Sequence, residues 1–271
     1  MELIEVNGVR LEVRTIPAPA GAPPRAPIVF LHEGLGSVAM WHARDGFWPA
    51  QVCEATGRAG VVYSRRGYGA SDPMPDVRDP SAERDGQRVG RLPPDYMHRE
   101  AWEVLPGLLS ALHLDRPVLL GHSDGASIAL LHASRHPVAA CVVMAPHVKV
   151  EEISLQSIAQ ARVAFVSGAL RQRLARFHAD ADGAFWQWND VWLSPAFRSF
   201  DIRAECQRIT AHLLALQGMD DVYGTMAQID EIAPLNGSIT REKLPHCGHS
   251  PHRDQPARTT ELVTRFLAAQ P

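Results

Sequence analysis

Apolar and polar positions alternate twice at the start of the chain: Leu3, Ile4 and Val6 precede Asn7-Gly8, and Val9, Leu11 and Val13 follow it. Alternation on both sides of Asn-Gly predicts two strands joined by a tight hairpin. The pattern then changes. Short apolar runs at 28–31, 60–64, 117–120, 139–145 and 212–217 predict buried strands, and 238–244 predicts one more. Between them lie stretches with helical character, at 45–56, 98–113, 126–133, 225–233 and 255–269. In the second of these, Trp102, Leu105, Leu108, Leu109 and Leu112 share helical spacing, and Pro106 is expected to kink or restart the helix. Asp254 is expected to cap the last helix. Strands alternating with helices predict an α/β protein: a mostly parallel sheet with helices on both faces.

Two stretches break the alternation. Residues 149–206 carry helical patterns and no convincing strand, with Phe185, Trp186, Trp188, Trp192, Phe197 and Phe200 close together. They are expected to form a helical insert, leaving 1–148 and 207–271 as the core. Residues 73–95 are rich in Pro, Asp, Arg and Gly without periodicity, which predicts a long solvated surface loop rather than a mobile lid. A Pro/Ala loop is expected at 17–27, and there is no internal repeat.

The 271 residues, 45% of them hydrophobic, suffice for one large domain with an insert. A net charge of −3 argues against nucleic acid or an anionic membrane surface as partner. The four cysteines (Cys53, Cys141, Cys206, Cys247) lie far apart and read as reduced thiols. No signal peptide and no run of transmembrane length is read. The expectation is a cytoplasmic protein acting on a small molecule.

The chemistry centres on Gly121-His122-Ser123-Asp124-Gly125. An apolar strand runs in and a good helix former runs out, which is the context of a G-x-S-x-G nucleophile elbow. Glycines either side let the chain turn sharply, and the serine sits at the apex beside the free N–H groups of the next helix. Such an elbow predicts an acid and then a histidine, each after a later strand. Asp220 and Asp221 follow the strand ending at Gln217. His246, His249 and His252 follow the last strand. The spacing of these histidines around Cys247 matches no standard zinc arrangement, and no metal or cofactor is expected. Gly34-Leu35-Gly36 lacks the third glycine of a dinucleotide fingerprint. His132 and His136 read as ordinary helix-surface or helix-end residues.

Five motifs in order carry a resemblance: His32-Glu33-Gly34-Leu35-Gly36, Arg66-Gly67-Tyr68-Gly69-Ala70-Ser71, the elbow, the Gly218-Met219-Asp220-Asp221 turn, and Gly248-His249. Over nearly its whole length the chain resembles the α/β-hydrolase superfamily, in its capped, single-domain form. The resemblance selects Asp221, three residues past the strand-ending glycine, and His249, which follows a glycine. It implies a Ser123–His249–Asp221 triad, with the backbone N–H groups of Asp124 and Glu33 as oxyanion hole. The family commonly has a small residue at position 33 and an apolar one at 124. The two carboxylates are therefore expected to bond neighbouring loops, through Arg65 or Arg66. The insert is expected to sit over Ser123 as a cap. His32, His122, His147, Trp186 and Trp192 are the pocket candidates.

Carboxylic ester hydrolysis is the first expectation, then thioester or lactone hydrolysis. C–C bond hydrolysis and acyl transfer on the same scaffold are alternatives, and a non-catalytic small-molecule sensor is the alternative of another class. A serine at position 123, where epoxide hydrolases and dehalogenases of this superfamily carry aspartate, argues against those two reactions.

Overall fold

The computed structural model describes residues 1–43, 45–75, 83–84, 87–88 and 92–270. Eight strands form one sheet: β1 (Glu2–Val6), β2 (Val9–Ile16), β3 (Ile28–Leu31), β4 (Gly60–Tyr63), β5 (Val118–His122), β6 (Ala140–Met144), β7 (His212–Gly218) and β8 (Ser238–Leu244), in the spatial order β1-β2-β4-β3-β5-β6-β7-β8. The first two strands form the expected hairpin, with Asn7 and Gly8 both at positive φ, as the tight turn demands. The pairs β1/β2 and β2/β4 are antiparallel, and every other neighbouring pair is parallel.

The central strands are buried on both faces, which is why they read as continuous apolar runs. Their side chains divide with period two. Val29 and Leu31 of β3, Leu119 of β5 and Val143 of β6 face one core, whereas Ile28 and Phe30, Val118 and Leu120, and Val142 face the other. Helix α1 (Trp48–Thr56) and the last helix cover the second face. There Trp41 and Trp48 stack at 5.8 Å. The helix expected from residue 45 starts at Trp48, because 42–43 and 46–47 pair as a short antiparallel ribbon.

The stretch around Pro106 restarts as expected. Helix α2 (Tyr96–Arg99) widens into a π-turn (Glu100–Val104), and α3 (Leu105–Ala111) begins with the proline in its first turn, where its missing N–H costs least. Helix α4 (Asp124–Ala133) follows β5 directly and is buried along its whole length. Between β6 and β7 the chain is helical: α5 (Glu152–Val166), α6 (Ala169–Leu174), α7 (Ala181–Leu193), a 3₁₀ turn (Pro195–Ser199) and α8 (Arg203–Cys206). Asp180 caps α7 by accepting from the Gly183 N–H at 3.0 Å. A single antiparallel bridge, Lys149 to Asp201, ties the two ends of this stretch together.

The helix expected at 225–233 is only α9 (Ala227–Asp230). The terminal helix expected at 255–269 is α11 (Pro256–Leu267), with Pro256 in its first turn, and a short helix α10 (Pro251–Asp254) precedes it. Asp254 therefore caps neither. Its carboxylate instead accepts from the Gly248 N–H at 2.9 Å. Of the expected surface loop 73–95, residues 76–82, 85–86 and 89–91 lie outside the described residues. Within it, Glu83–Arg84 and Gln87–Arg88 pair as a two-stranded ribbon.

Candidate active site

Ser123 stands at the apex between β5 and α4 with φ 53° and ψ −120°, a conformation that L-residues adopt at a cost of about 1–3 kcal/mol. The surroundings hold it there. Its N–H donates to the Met144 carbonyl at 2.9 Å, and its carbonyl accepts from the N–H groups of Ala126 and Ser127. The flanking glycines permit the turn by contact. A Cβ on Gly121 would lie 2.3 Å from the Gly125 carbonyl oxygen, and one on Gly125 would lie 2.1 Å from that of Leu31.

The strand-end turns after β7 and β8 touch backbone to backbone. Met219 and Asp220 donate their N–H groups to Leu244 and Cys247, and a Cβ on Gly218 would strike the Gly248 carbonyl at 2.1 Å. This contact brings Asp221 to His249. The His249 ring lies with Nδ1 2.8 Å from Asp221 Oδ2 and Nε2 2.9 Å from Ser123 Oγ. Asp221 is fixed from behind by the Gln217 amide at 2.7 Å and the Tyr223 N–H at 2.7 Å. Asp220, the other candidate acid, is exposed. Such a chain of hydroxyl, imidazole and carboxylate can draw the serine proton onto nitrogen and stabilise the imidazolium that results.

Burial pushes the Asp221 carboxyl up, but the His249 hydrogen bond and charge outweigh burial and hold it below the ordinary aspartate value. A carboxyl depressed by folding stabilises the fold above its unfolded value, and that contribution is lost as pH falls through the folded value. Asp221→Asn is therefore expected to be less stable than wild type at neutral pH. In acid-denaturation curves the difference should close below about pH 4. A gap that stays constant into strong acid would contradict this linkage.

The loop after β3 faces the elbow. Among the described residues, neither the Glu33 nor the Asp124 backbone N–H donates to a protein acceptor, and both residues line the same cavity as Ser123. Their side chains do bond neighbouring loops, but the expected arginine partners are wrong. Glu33 pairs with Arg253 at 3.1 Å and approaches His122 Nδ1 at 3.4 Å. Asp124, fully buried, accepts from the Tyr96 hydroxyl at 2.5 Å, and Tyr96 accepts from Trp192 Nε1 at 3.1 Å. Among the described residues, Arg66 donates to the Pro73 carbonyl. Burial raises the Asp124 carboxyl above its ordinary value despite Arg65 and Tyr96, whereas Arg253 and His122 overcome burial to hold Glu33 well below its own.

The cavity above Ser123 has a volume of about 260 Å³. His122, His147 and Trp192 line it. Two other pocket candidates belong elsewhere. His32 is buried behind the β3 loop, where Nε2 accepts from the Arg65 N–H at 3.0 Å. Trp186 packs edge-on to Phe165 and Phe185 within the helical stretch, two α7 positions before Trp188 and so on the opposite side of the helix from the cavity. Its neighbour Trp188 takes the wall position instead, with Leu35, Met40, Leu170 and Leu174.

The sequence profile of the alpha/beta hydrolase family matches residues 28–262. The chain belongs to the alpha/beta hydrolase family. Among characterised relatives, it is 24% identical over 270 residues to the mouse sn-1-specific diacylglycerol lipase ABHD11, covering 89% of this chain and 80% of the mouse protein. Among solved structures, the enol-lactonase of Burkholderia xenovorans LB400 superposes with a TM-score of 0.68 at 19% identity, over 98% of this chain and 100% of that one. An esterase of Exiguobacterium antarcticum gives 0.71 at 17% identity, over 98% and 99%. Likeness at these identities carries the fold, and the family match places the chain among hydrolases.

In this hydrolase the remaining histidines separate by environment. His246 is exposed, and His252 is buried against Trp41 and Trp48, so the three C-terminal histidines do not converge. His132 is buried rather than on the helix surface. Burial lowers it to about 4, and its Nδ1–H donates to the Ala101 carbonyl. Burial and the neighbouring His249 lower His147 to about 3, so a neutral imidazole faces the cavity. Tyr223, not singled out from sequence, lays its ring 4.7 Å from that of His249. Its only sequence signal was its place two residues past the acid. Among the described residues no helix is long and apolar enough to cross a membrane.

Proposed function

We propose that this hydrolase cleaves a compact carboxylic ester or lactone through an acyl-enzyme on Ser123. The observation that carries the reading is the continuous chain from Ser123 Oγ through the His249 ring to Asp221, with both links at 2.8–2.9 Å. In this mechanism His249 takes the Ser123 proton as Oγ attacks the carbonyl carbon, and Asp221 holds the imidazole with Nδ1 protonated. The oxyanion forms against the N–H groups of Glu33 and Asp124, each donor contributing about 3–4 kcal/mol of transition-state stabilisation. His249 then protonates the departing alkoxide. Water, deprotonated by the same ring, releases the acid.

The apolar wall of Leu35, Met40, Leu170, Leu174, Trp188 and Trp192 and the cavity of about 260 Å³ favour a small acyl group. A shallower groove of about 390 Å³ adjoins the cavity at Leu170, Arg173 and Tyr223 and leaves room for a longer alcohol or acyl part. The four cysteines are free and buried, which suits a reducing, cytoplasmic setting.

The test is labelling with a fluorophosphonate, followed by peptide mass spectrometry and a panel of esters, thioesters and lactones of increasing chain length. Modification of Ser123 alone, with fastest turnover of short-chain esters or lactones, is the expected result. A folded wild type that neither labels nor turns over any substrate of the panel would overturn the reading.

A further inference from the structure

The two amides assigned to the oxyanion hole are held in different ways. That of Asp124 opens α4 and is fixed by the helix. That of Glu33 lies in a loop, and a loop peptide must be held by something else. Arg65 is almost wholly buried, and its guanidinium reaches this loop with both arms. One arm donates to the His32 carbonyl at 2.6 Å and the other to the Glu33 carbonyl at 3.0 Å. His32 completes the grip. Its Nε2 accepts from the Arg65 backbone N–H at 3.0 Å, so the ring's single proton sits on Nδ1, which donates to the Glu33 carbonyl at 2.6 Å. A neutral ring in one tautomer therefore satisfies both contacts, in keeping with the burial that lowers His32 well below its ordinary value.

The His32–Glu33 peptide is trans, as every described peptide bond is. In a planar trans peptide the C=O and the N–H point to opposite sides. Fixing the His32 carbonyl on Arg65, inside the protein, turns the Glu33 N–H away from Arg65, and Glu33 lines the cavity shared with Ser123. We propose that Arg65 is the positioning residue of the oxyanion hole, aiming the Glu33 amide at the reacting carbonyl and, as a buried cation behind that peptide, polarising its N–H. This rests on the acyl-enzyme reading above. The cation is held in turn by the Tyr68 ring at 5.0 Å and by the nearby carboxyls of Asp124 and Glu100. A buried guanidinium aimed at two carbonyls, rather than at a carboxylate, is a costly way to build a loop and a direct way to orient one.

The test compares wild type, Arg65→Gln and Arg65→Lys, with folding verified by circular dichroism and thermal melts. The readouts are kcat and KM on the best ester of the panel, and the infrared carbonyl stretch of a slowly released, isotope-labelled acyl group on Ser123. Arg65→Gln is expected to lower kcat by about 10- to 100-fold, short of the loss from deleting a donor outright, with KM within about threefold. The acyl carbonyl stretch should rise in frequency as the hydrogen bond weakens. Arg65→Lys, which keeps the charge and one contact, should fall between Arg65→Gln and wild type in both readouts. Should Arg65→Gln not fold, a raised stretch in Arg65→Lys is still required. A folded variant with wild-type kcat and stretch overturns the proposal, as does an Arg65→Lys loss as large as that of Arg65→Gln. A wild type that forms no acyl-enzyme instead overturns the serine-hydrolase reading and takes the Arg65 role with it.

Discussion

Ser123→Ala is expected to lower kcat/KM by about 10⁴- to 10⁶-fold and to leave the fold intact. The size follows from how the parts act together. Without Oγ there is no covalent intermediate, so His249 and Asp221 have no nucleophile to serve and their contributions vanish with it. What survives is binding plus the Glu33 and Asp124 amides, which can still favour attack by water. Stability should move little, because among the described residues the lost hydroxyl bonds His249 alone, and that ring remains fixed by Asp221. Steady-state kinetics on purified protein, with a melting curve alongside, decide the matter. A loss of only tenfold, without a melting change, would mean that Ser123 is not the attacking group.

Gly125→Ala is expected to cost more than about 4 kcal/mol, a large part of an ordinary stability of about 5–15 kcal/mol. Helix propensity argues the other way, since Gly125 lies in the first turn of α4 and alanine is favoured in helices by about 1 kcal/mol. Geometry wins. The added Cβ would sit 2.1 Å from the Leu31 carbonyl oxygen, 2.4 Å from its carbon and 2.6 Å from the His32 oxygen. All three are backbone atoms of β3 and the loop after it, so no side chain can swing aside. Gly224→Ala is the control. There the nearest atom, at 3.0 Å, is the Gln228 Cγ, part of a flexible side chain. Chemical denaturation of both variants should show a near-normal Gly224→Ala and a lost or deeply destabilised Gly125→Ala. Equal behaviour would refute the idea that helix and loop are packed to backbone contact here.

Much of this was legible in the chain because the underlying patterns are local. The hairpin announces itself by Asn7-Gly8. The central strands announce themselves by apolar runs, since a strand buried on both faces has no polar phase to show. The elbow is visible because a tight turn demands glycine at 121 and 125. The choice between Asp220 and Asp221 needed more than periodicity. It is set by the backbone contact of Gly218 with Gly248, a pairing of residues far apart in sequence. The partners of Glu33 and Asp124 were not legible for the same reason. Arg253 and Tyr96 come from distant segments, whereas Arg65 and Arg66, which looked like natural mates, lie where the guanidinium of one meets carbonyls and that of the other points to solvent-side backbone. Trp186 was misplaced by the phase of α7: it stands two residues before Trp188, so the two rings point about 200° apart around the helix and only contacts decide which faces the cavity. Asp254 was misread as the cap of the last helix because residues 251–254 form a turn of helix too short to show a period of its own, which leaves Gln255 at the position before α11.

The positive φ at Ser123 sets two kinds of selection against each other. Selection for folding alone would put glycine at that position, because glycine takes the left-handed conformation freely and serine does not. On the acyl-enzyme mechanism proposed above, only selection for turnover favours a hydroxyl there. The residue that the architecture would choose is not the one the reaction needs, and the chain carries the latter.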